Sequence, residues 1–111
     1  MIIEVYEDGS GECFVRNFLL AECAELDRAK IIQKLEDYQE FPYETLMYTQ
    51  HLKKVENGLY EVRIKVNRVQ YRFFGIVKDK ILYLGYAIKK KTNKLSVHEL
   101  RAARAKINRI T

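Results

Sequence analysis

Two arginines on neighbouring predicted strands are the residues best suited to chemistry in this sequence. Arg63 lies in the alternating run LYEVRIKV, and Arg72 lies in the run VQYRFFGIV that follows it. If the two residues between the runs form a tight turn, Arg63 faces Arg72 directly across a hairpin. Like charges directly opposed destabilise a sheet. The pattern therefore predicts an anion between the arginines, and a phosphate group is the candidate.

A third predicted strand, ILYLGYAIK, extends this row with aromatic and basic residues. A three-residue loop at Lys78–Lys80 would place Tyr86 opposite Arg72, and the lysine run 89–91 begins where this strand ends. A run of lysines is also a common protection of a sheet edge. On pattern alone the lysines therefore have two interpretations, a phosphate-binding groove or a charged edge.

Cleavage of RNA is the reaction that these residues can perform without a metal. The ribose 2′-OH attacks the adjacent phosphate, arginine stabilises the developing charge and aromatic side chains hold the bases. Residues 51–111 contain four carboxylates in no metal-ligand spacing, and no serine or cysteine nucleophile motif is present. We therefore expect no metal and no cofactor. The residues assigned to catalysis are Arg63, Arg72, Tyr86, Lys90 and Lys91, and those assigned to RNA binding are Lys65, Arg68, Tyr71, Lys89, Thr92, Lys94 and His98.

The proton donor is the least defined member of this predicted site. His98 is the one histidine that follows His51, and it falls in the first turn of the last predicted helix. A lone histidine there is usually a surface residue, so Tyr86 or a lysine is the alternative general acid or base.

Charge divides the chain into two halves. Residues 1–50 carry four Lys/Arg against eleven Asp/Glu, and residues 51–111 carry sixteen against four, a net +12. Such a basic half favours a polyanionic partner.

The 111 residues, 48% of them apolar, fit one domain spanning 1–111. Without a membrane-spanning run or signal peptide we expect a cytoplasmic protein with no membrane partner. We interpret Cys13 and Cys23 as packing or surface residues rather than a disulfide.

Hydrophobic periodicity predicts an α+β fold in the order β-α-α-β-β-β-α. A helix is predicted over residues 24–39, where four apolar side chains share one face. A capping box, Ser96-x-x-Glu99, begins the last helix. The three central strands form an antiparallel sheet, and we expect the helices to pack on one face of it and leave the other face free to bind.

The segments LKKVENGLYEVRIKV, VQYRFF, ILYLGYAIKKKTNKLS and ELRAARA, in this order, resemble the RelE superfamily of bacterial toxins. Within that superfamily the resemblance is to the HigB-like, phage-derived branch, and it implies a RelE-like fold. Tyr86 stands where this branch often has histidine, and Leu95-Ser96 replace its Thr-Pro. Carried over by position, the family's site residues fall on Glu61, Arg63, Tyr71, Arg72, Lys90, Lys91 and Thr92.

The resemblance implies a toxin of a type II toxin–antitoxin system. Such a toxin is a ribosome-dependent mRNA endonuclease that uses metal-independent 2′-OH attack, so mRNA and the ribosome are implied partners. A cognate antitoxin, usually a helix-turn-helix protein, is implied as well. Two alternatives stay open. ParE-like toxins share this fold and act as non-enzymatic inhibitors of DNA gyrase, and a catalytically decayed, phage-derived protein could bind nucleic acid without cutting it.

Overall fold

A five-stranded sheet carries four helices in the computed structural model, which describes residues 1–92 and 94–110. The strands lie in the order β1-β5-β4-β3-β2, and β1 is parallel to β5 whereas the other neighbours are antiparallel. In chain order the elements are β1 (Ile2–Val5), α1 (Phe14–Glu22), α2 (Glu25–Gln39), α3 (Tyr43–Tyr48), β2 (Leu52–Glu56), β3 (Leu59–Val66), β4 (Val69–Lys78), β5 (Ile81–Lys90) and α4 (Val97–Ile107).

This architecture confirms the predicted α+β class and the antiparallel β3-β4-β5 meander. Two short elements, α3 and β2, were absent from the predicted order, because neither is long enough to show a clear period. The parallel pairing of β1 with β5 also makes the sheet mixed rather than wholly antiparallel. No helix in the described part of the chain has the length and apolar character needed to cross a membrane.

Apolar cores lie on both faces of the sheet, so the expectation that helices cover one face is wrong. The larger core joins Val62, Ile64 and Phe73 to side chains of α1, α2 and α3. The smaller core joins Leu59 and Phe74 to the apolar stripe of α4 on the opposite face. The reason is that α4 carries its own buried stripe and returns to the second face of the sheet. The open surface is therefore only the part of that face that α4 leaves uncovered.

The turn between β3 and β4 has the predicted geometry. Asn67 and Arg68 adopt φ angles of 50° and 68°, the left-handed pair of a two-residue hairpin turn. Arg63 consequently pairs with Arg72 across the strands. The predicted opposition of the two arginines is confirmed.

The predicted opposition of Tyr86 and Arg72 is wrong. The β4–β5 turn has two residues, Asp79 and Lys80, and a bulge shifts the register between Phe74 and Gly75. As a result Arg72 faces Ile88, and Tyr86 faces Phe74, which lies two residues beyond Arg72 on β4.

Local signals at the last helix and at the cysteines agree with the sequence. The Ser96 side chain accepts a hydrogen bond from the Glu99 backbone N–H, and the Glu99 carboxylate accepts one from the Ser96 N–H, which forms the predicted capping box. Cys13 and Cys23 are free, buried thiols and serve as packing residues.

Substitution of Gly75 tests the bulge. A Cβ at this position would lie 2.1 Å from the carbonyl oxygen of Tyr83, a backbone atom that cannot rotate away. We expect Gly75→Ala to lower the free energy of unfolding by about 1–3 kcal/mol, the usual range for overpacking. Urea titration measures this change. Gly9→Ala, where a Cβ meets nothing within 4 Å, is the matched control, and equal stability of the two variants would contradict the close approach.

Candidate functional site

A buried carboxylate joins the two opposed arginines. Glu61 lies two residues before Arg63 on β3, so their side chains share a face of the sheet. One Glu61 oxygen accepts a hydrogen bond from Arg63 Nε, and the other lies 3.3 Å from Arg72 Nη1. Glu61 and Arg72 are fully buried. The anion that the sequence predicts between the arginines is therefore supplied by the protein itself.

Arg72 is enclosed by its hydrogen bonds. Its Nη2 donates to the side-chain oxygen of Gln70 and to the carbonyl oxygen of Thr92, each at 3.1 Å. Through the second bond, the backbone at Thr92, just after β5, packs against the guanidinium. In this arrangement Arg72 is shielded from solvent and positions the neighbouring chain.

Arg63 is the accessible member of the pair. Its side chain is 26% exposed. Glu61 accepts the hydrogen bond from Nε, and the terminal nitrogens of Arg63 donate to no group in residues 1–92 and 94–110. A guanidinium held in this way presents two N–H₂ groups in a fixed plane, the geometry that suits a phosphate.

A groove opens beside Arg63 where β2 begins. Pairing of β2 with β3 ends at Leu52 and Val62, and the Arg63 N–H donates to the His51 carbonyl oxygen at 2.9 Å. Beyond this point α2 covers the edge of β3, and the Tyr38 hydroxyl donates to the Arg63 carbonyl oxygen at 3.2 Å. We call this surface the histidine groove, and its polar and aromatic lining is Lys34, Tyr38, His51, Arg63, Lys65 and Gln70.

Tyr38 contacts both the Arg63 backbone and the ring of His51. The Tyr38 oxygen lies 3.2 Å from His51 Nδ1, and the two rings stack with centroids 4.7 Å apart. Burial raises the pKa of Tyr38, which keeps its hydroxyl protonated. When that proton is donated to the Arg63 carbonyl, the Tyr38 oxygen accepts from His51 in the tautomer that carries its proton on Nδ1. In that neutral tautomer Nε2 has the lone pair that can accept a proton.

Two lysines of the run 89–91 form ion pairs with residues of helices. Lys89 Nζ lies 3.3 Å from the Glu22 carboxylate, and Lys90 forms an ion pair with Glu99. Lys90 also donates to the Lys94 carbonyl oxygen. These interactions attach α1 and α4 to the end of β5, and Lys91 is left exposed.

The remaining predicted residues lie on the surface. Lys65 lines the histidine groove, Arg68 is exposed in the β3–β4 turn, and Thr92 and Lys94 are exposed after β5. His98 is exposed in the first turn of α4 and does not line the groove.

The two tyrosines assigned to the site lie in apolar surroundings. Tyr71 is buried on the opposite face of the sheet from Arg63, where burial and the nearby Cys23 raise its pKa to about 12. Tyr86 packs between Phe14 and Phe74, with ring centroids 4.9 and 6.2 Å away. Neither placement brings the phenol to the histidine groove, because the strand alternation and the bulge direct both rings into the cores.

Sequence reasoning passed over four residues of the histidine groove, namely Lys34, Tyr38, His51 and Gln70. His51 stands one residue before β2, a strand too short to be predicted, so its proximity to Arg63 was hidden. Lys34 belongs to an acidic part of the chain. The available signal was Lys30 and Lys34 at a spacing of four, which places two cations on one face of α2.

The fold and this groove define a small basic α+β protein with a groove beside β3 that is lined by cationic and aromatic side chains. Residues 20–108 match the family model for the phage derived protein Gp49-like family (DUF891), which covers most of the chain. The chain therefore belongs to this family, a RelE-like family associated with toxin–antitoxin systems. Membership implies an antitoxin partner. No curated protein and no solved structure matches the chain significantly.

In residues 1–92 and 94–110 no three His, Cys, Asp or Glu side chains converge in a way that could hold a metal ion.

Removal of Arg72 tests the buried ion pairs. We expect Arg72→Met to lower the free energy of unfolding by about 3–5 kcal/mol, because Glu61 stays buried with one partner removed. The double variant Glu61→Leu/Arg72→Met should recover part of this stability, since neither fully buried charge remains and the partly exposed Arg63 can be solvated. Chemical denaturation of the two single variants and the double variant gives the coupling energy. Additive effects would show that Glu61 and Arg72 do not interact.

Acid titration tests the Lys90–Glu99 ion pair. The hydrogen bond from Lys90, followed by those from Ser96, lowers the pKa of Glu99 from its usual 4.5. A lowered carboxyl pKa stabilises the folded protein above pH 4.5, and this contribution disappears as the pH falls through the lowered value. Glu99→Gln should therefore be less stable than the wild type at pH 7, and the difference should be smaller at pH 3.

Urea unfolding at the two pH values measures this difference. Glu36→Gln on α2 is the control, since Glu36 is exposed and forms no ion pair in the described residues. A stability difference for Glu99→Gln that is as large at pH 3 as at pH 7 would mean that the charge of Glu99 is not responsible.

Proposed function

We propose that this protein is the toxin of a type II toxin–antitoxin system, of the HigB-like branch, and that it cleaves mRNA on the ribosome. The observation that carries this proposal is the arrangement of Arg63, whose guanidinium is held by buried Glu61 in the groove that the imidazole of His51 also lines. A fixed phosphate-binding fork next to a proton acceptor is what cleavage by the ribose 2′-OH requires.

The proposed reaction uses His51 and Arg63 in sequence. His51 Nε2 accepts the proton of the 2′-OH, and the resulting oxyanion attacks the adjacent phosphorus. Arg63 donates hydrogen bonds to the phosphate oxygens while the negative charge increases. The bond to the 5′-oxygen then breaks, and the imidazolium proton passes to that oxygen. The products are a 2′,3′-cyclic phosphate and a 5′-hydroxyl, and every atom comes from the RNA.

The other predicted site residues take supporting roles in this proposal. Arg72 positions the segment after β5 through the Thr92 carbonyl, and Lys90 positions it through the Lys94 carbonyl. Lys91 and Lys94 remain exposed and supply positive charge for RNA phosphates. The cognate antitoxin, proposed to be a helix-turn-helix protein, would neutralise the toxin by covering this basic surface.

Cleavage on stalled ribosomes tests the proposal. Purified protein is added to ribosomes stalled on a defined mRNA and, in control reactions that contain EDTA, to the same mRNA without ribosomes, and the 3′ ends are mapped. We expect cuts in the ribosomal A site that depend on the ribosome. Arg63→Ala should slow them by about 10²–10³-fold, because it removes the donors to the developing charge, and His51→Gln should slow them as well. Arg101→Ala, an exposed arginine of α4 outside the histidine groove, is the charge-matched control.

Two results would overturn this function. Intact transcripts together with DNA damage in arrested cells would support a ParE-like inhibitor of gyrase. Salt-dependent RNA binding by the folded protein with no cleavage on or off the ribosome would support a decayed nuclease.

A further inference from the structure

A second groove continues directly from the histidine groove. It lies between α2 and the tip of the β3–β4 hairpin, and we call it the lysine groove. Lys30, Gln33, Lys34 and Asp37 of α2 form one wall, and residues 65–67 form the other. Lys34 and Lys65 line both grooves, so the two grooves adjoin along these side chains, and we call the pair the channel.

The lysines of this channel are not used to hold the fold together. In residues 1–92 and 94–110, Lys30, Lys34 and Lys65 form no ion pair with a carboxylate. Lys89 and Lys90 on β5, in contrast, are paired. The Asp37 carboxylate on the wall of the lysine groove accepts a hydrogen bond from Gln33 at 2.9 Å. The three ammonium groups are therefore available to an external anion.

The walls of the lysine groove are joined at its far end. The Asn67 side-chain amide donates to the Asp27 carboxylate at 2.9 Å, which links the hairpin tip to α2. Lys30 and Lys34 are one turn apart on α2 and so lie side by side about 5–6 Å apart. They are two of the four cations in residues 1–50, where eleven carboxylates occur. Half of the cations in residues 1–50 therefore lie on the wall of this channel.

The lining of the lysine groove also indicates how an anion would be held. The described residues that line it include no aromatic side chain, whereas proteins that hold bases use aromatic rings for stacking. Point charges on flexible stems bind phosphates without reading sequence. The channel therefore fits the sugar–phosphate backbone of a single strand rather than its bases.

We propose that the lysine groove binds the phosphates of the single-stranded RNA that flanks the cleavage site, through Lys30, Lys34 and Lys65. The inference rests on the proposed nuclease function, which places the scissile phosphate at Arg63 in the adjoining histidine groove. Lys30 lies outside the histidine groove, so it binds only flanking RNA.

Length-dependent RNA binding tests this proposal. The probes are two fully 2′-O-methylated oligoribonucleotides, of about 3 and about 12 nucleotides, which lack the attacking hydroxyl and cannot be cut. Fluorescence anisotropy gives Kd over a series of KCl concentrations for the wild type, Lys30→Gln and Lys30→Gln/Lys34→Gln. Lys78→Gln/Lys80→Gln is the control, since both lysines are exposed at the β4–β5 end of the sheet and the variant removes the same charge.

We expect the wild type to bind the longer probe more tightly than the shorter one. The slope of log K against log salt should fall by about 0.7 for each phosphate that is no longer neutralised by a lysine, hence by about 1.4 in the double α2 variant. The control should keep the wild-type slope. An unchanged slope in the α2 variants, an equal fall in the control, or wild-type affinity that does not depend on length would overturn the proposal.

Ribosome cleavage separates this inference from the proposed function. Cleavage that is abolished in Arg63→Ala while the α2 variants keep the wild-type salt slope would retain the nuclease and reject the lysine groove. A reduced slope in the α2 variants of a protein that never cleaves would retain a phosphate-binding channel and reject the nuclease.

Discussion

The buried carboxylate of Glu61 is the group on which the arrangement of this site depends. Antiparallel pairing of β3 with β4 sets Arg63 opposite Arg72, and without an anion their repulsion would oppose that register. Glu61 accepts hydrogen bonds from both guanidiniums at once. Burial of charges is costly unless each is paired, so removal of one member exposes the others to a large desolvation penalty. The same network extends to the Thr92 carbonyl through Arg72, and it sets the plane of the Arg63 guanidinium that reaches solvent.

The lysines of the run 89–91 and of the channel fall into two groups, those paired with a carboxylate of the protein and those that are not. Lys89 and Lys90 attach α1 and α4 to β5, and their charge is neutralised within the protein. Lysines on α2 and at the end of β3 are unpaired in the described residues and line a channel that leads away from Arg63. The acidic N-terminal half thus presents two of its four cations to the channel, and the carboxylates of that half repel a polyanion. Such a field favours approach of RNA from the side of the groove.

Much of the fold could be predicted from local signals, and the errors have definite causes. The Asn67-Arg68 turn and the Ser96 capping box are determined by a few adjacent residues, and both were predicted correctly. The position of Tyr86 depends on a bulge at Gly75, which the alternation of apolar residues does not reveal. Strand alternation did place Glu61 beside Arg63. It did not reveal that α4 and the segment before it bury that face of the sheet. Because the face is buried, Glu61 is the partner of both arginines rather than a surface carboxylate. His51 could not be placed next to Arg63 from sequence because their proximity depends on the residue at which β2 begins.

The central claim is that Glu61 fixes the fork of Arg63 for a phosphate, and Arg63→Lys tests it most directly. Lysine keeps the charge but has no planar pair of donors that remain free when Nε is held. The single-turnover rate of mRNA cleavage on stalled ribosomes would be measured for the wild type and Arg63→Lys after equal stability has been established by urea unfolding. The account predicts a fall of about 10²-fold, since a lysine cannot both bind Glu61 and present two aligned donors. A rate within about twofold of the wild type would contradict it, because charge at this position would then be sufficient without orientation by Glu61.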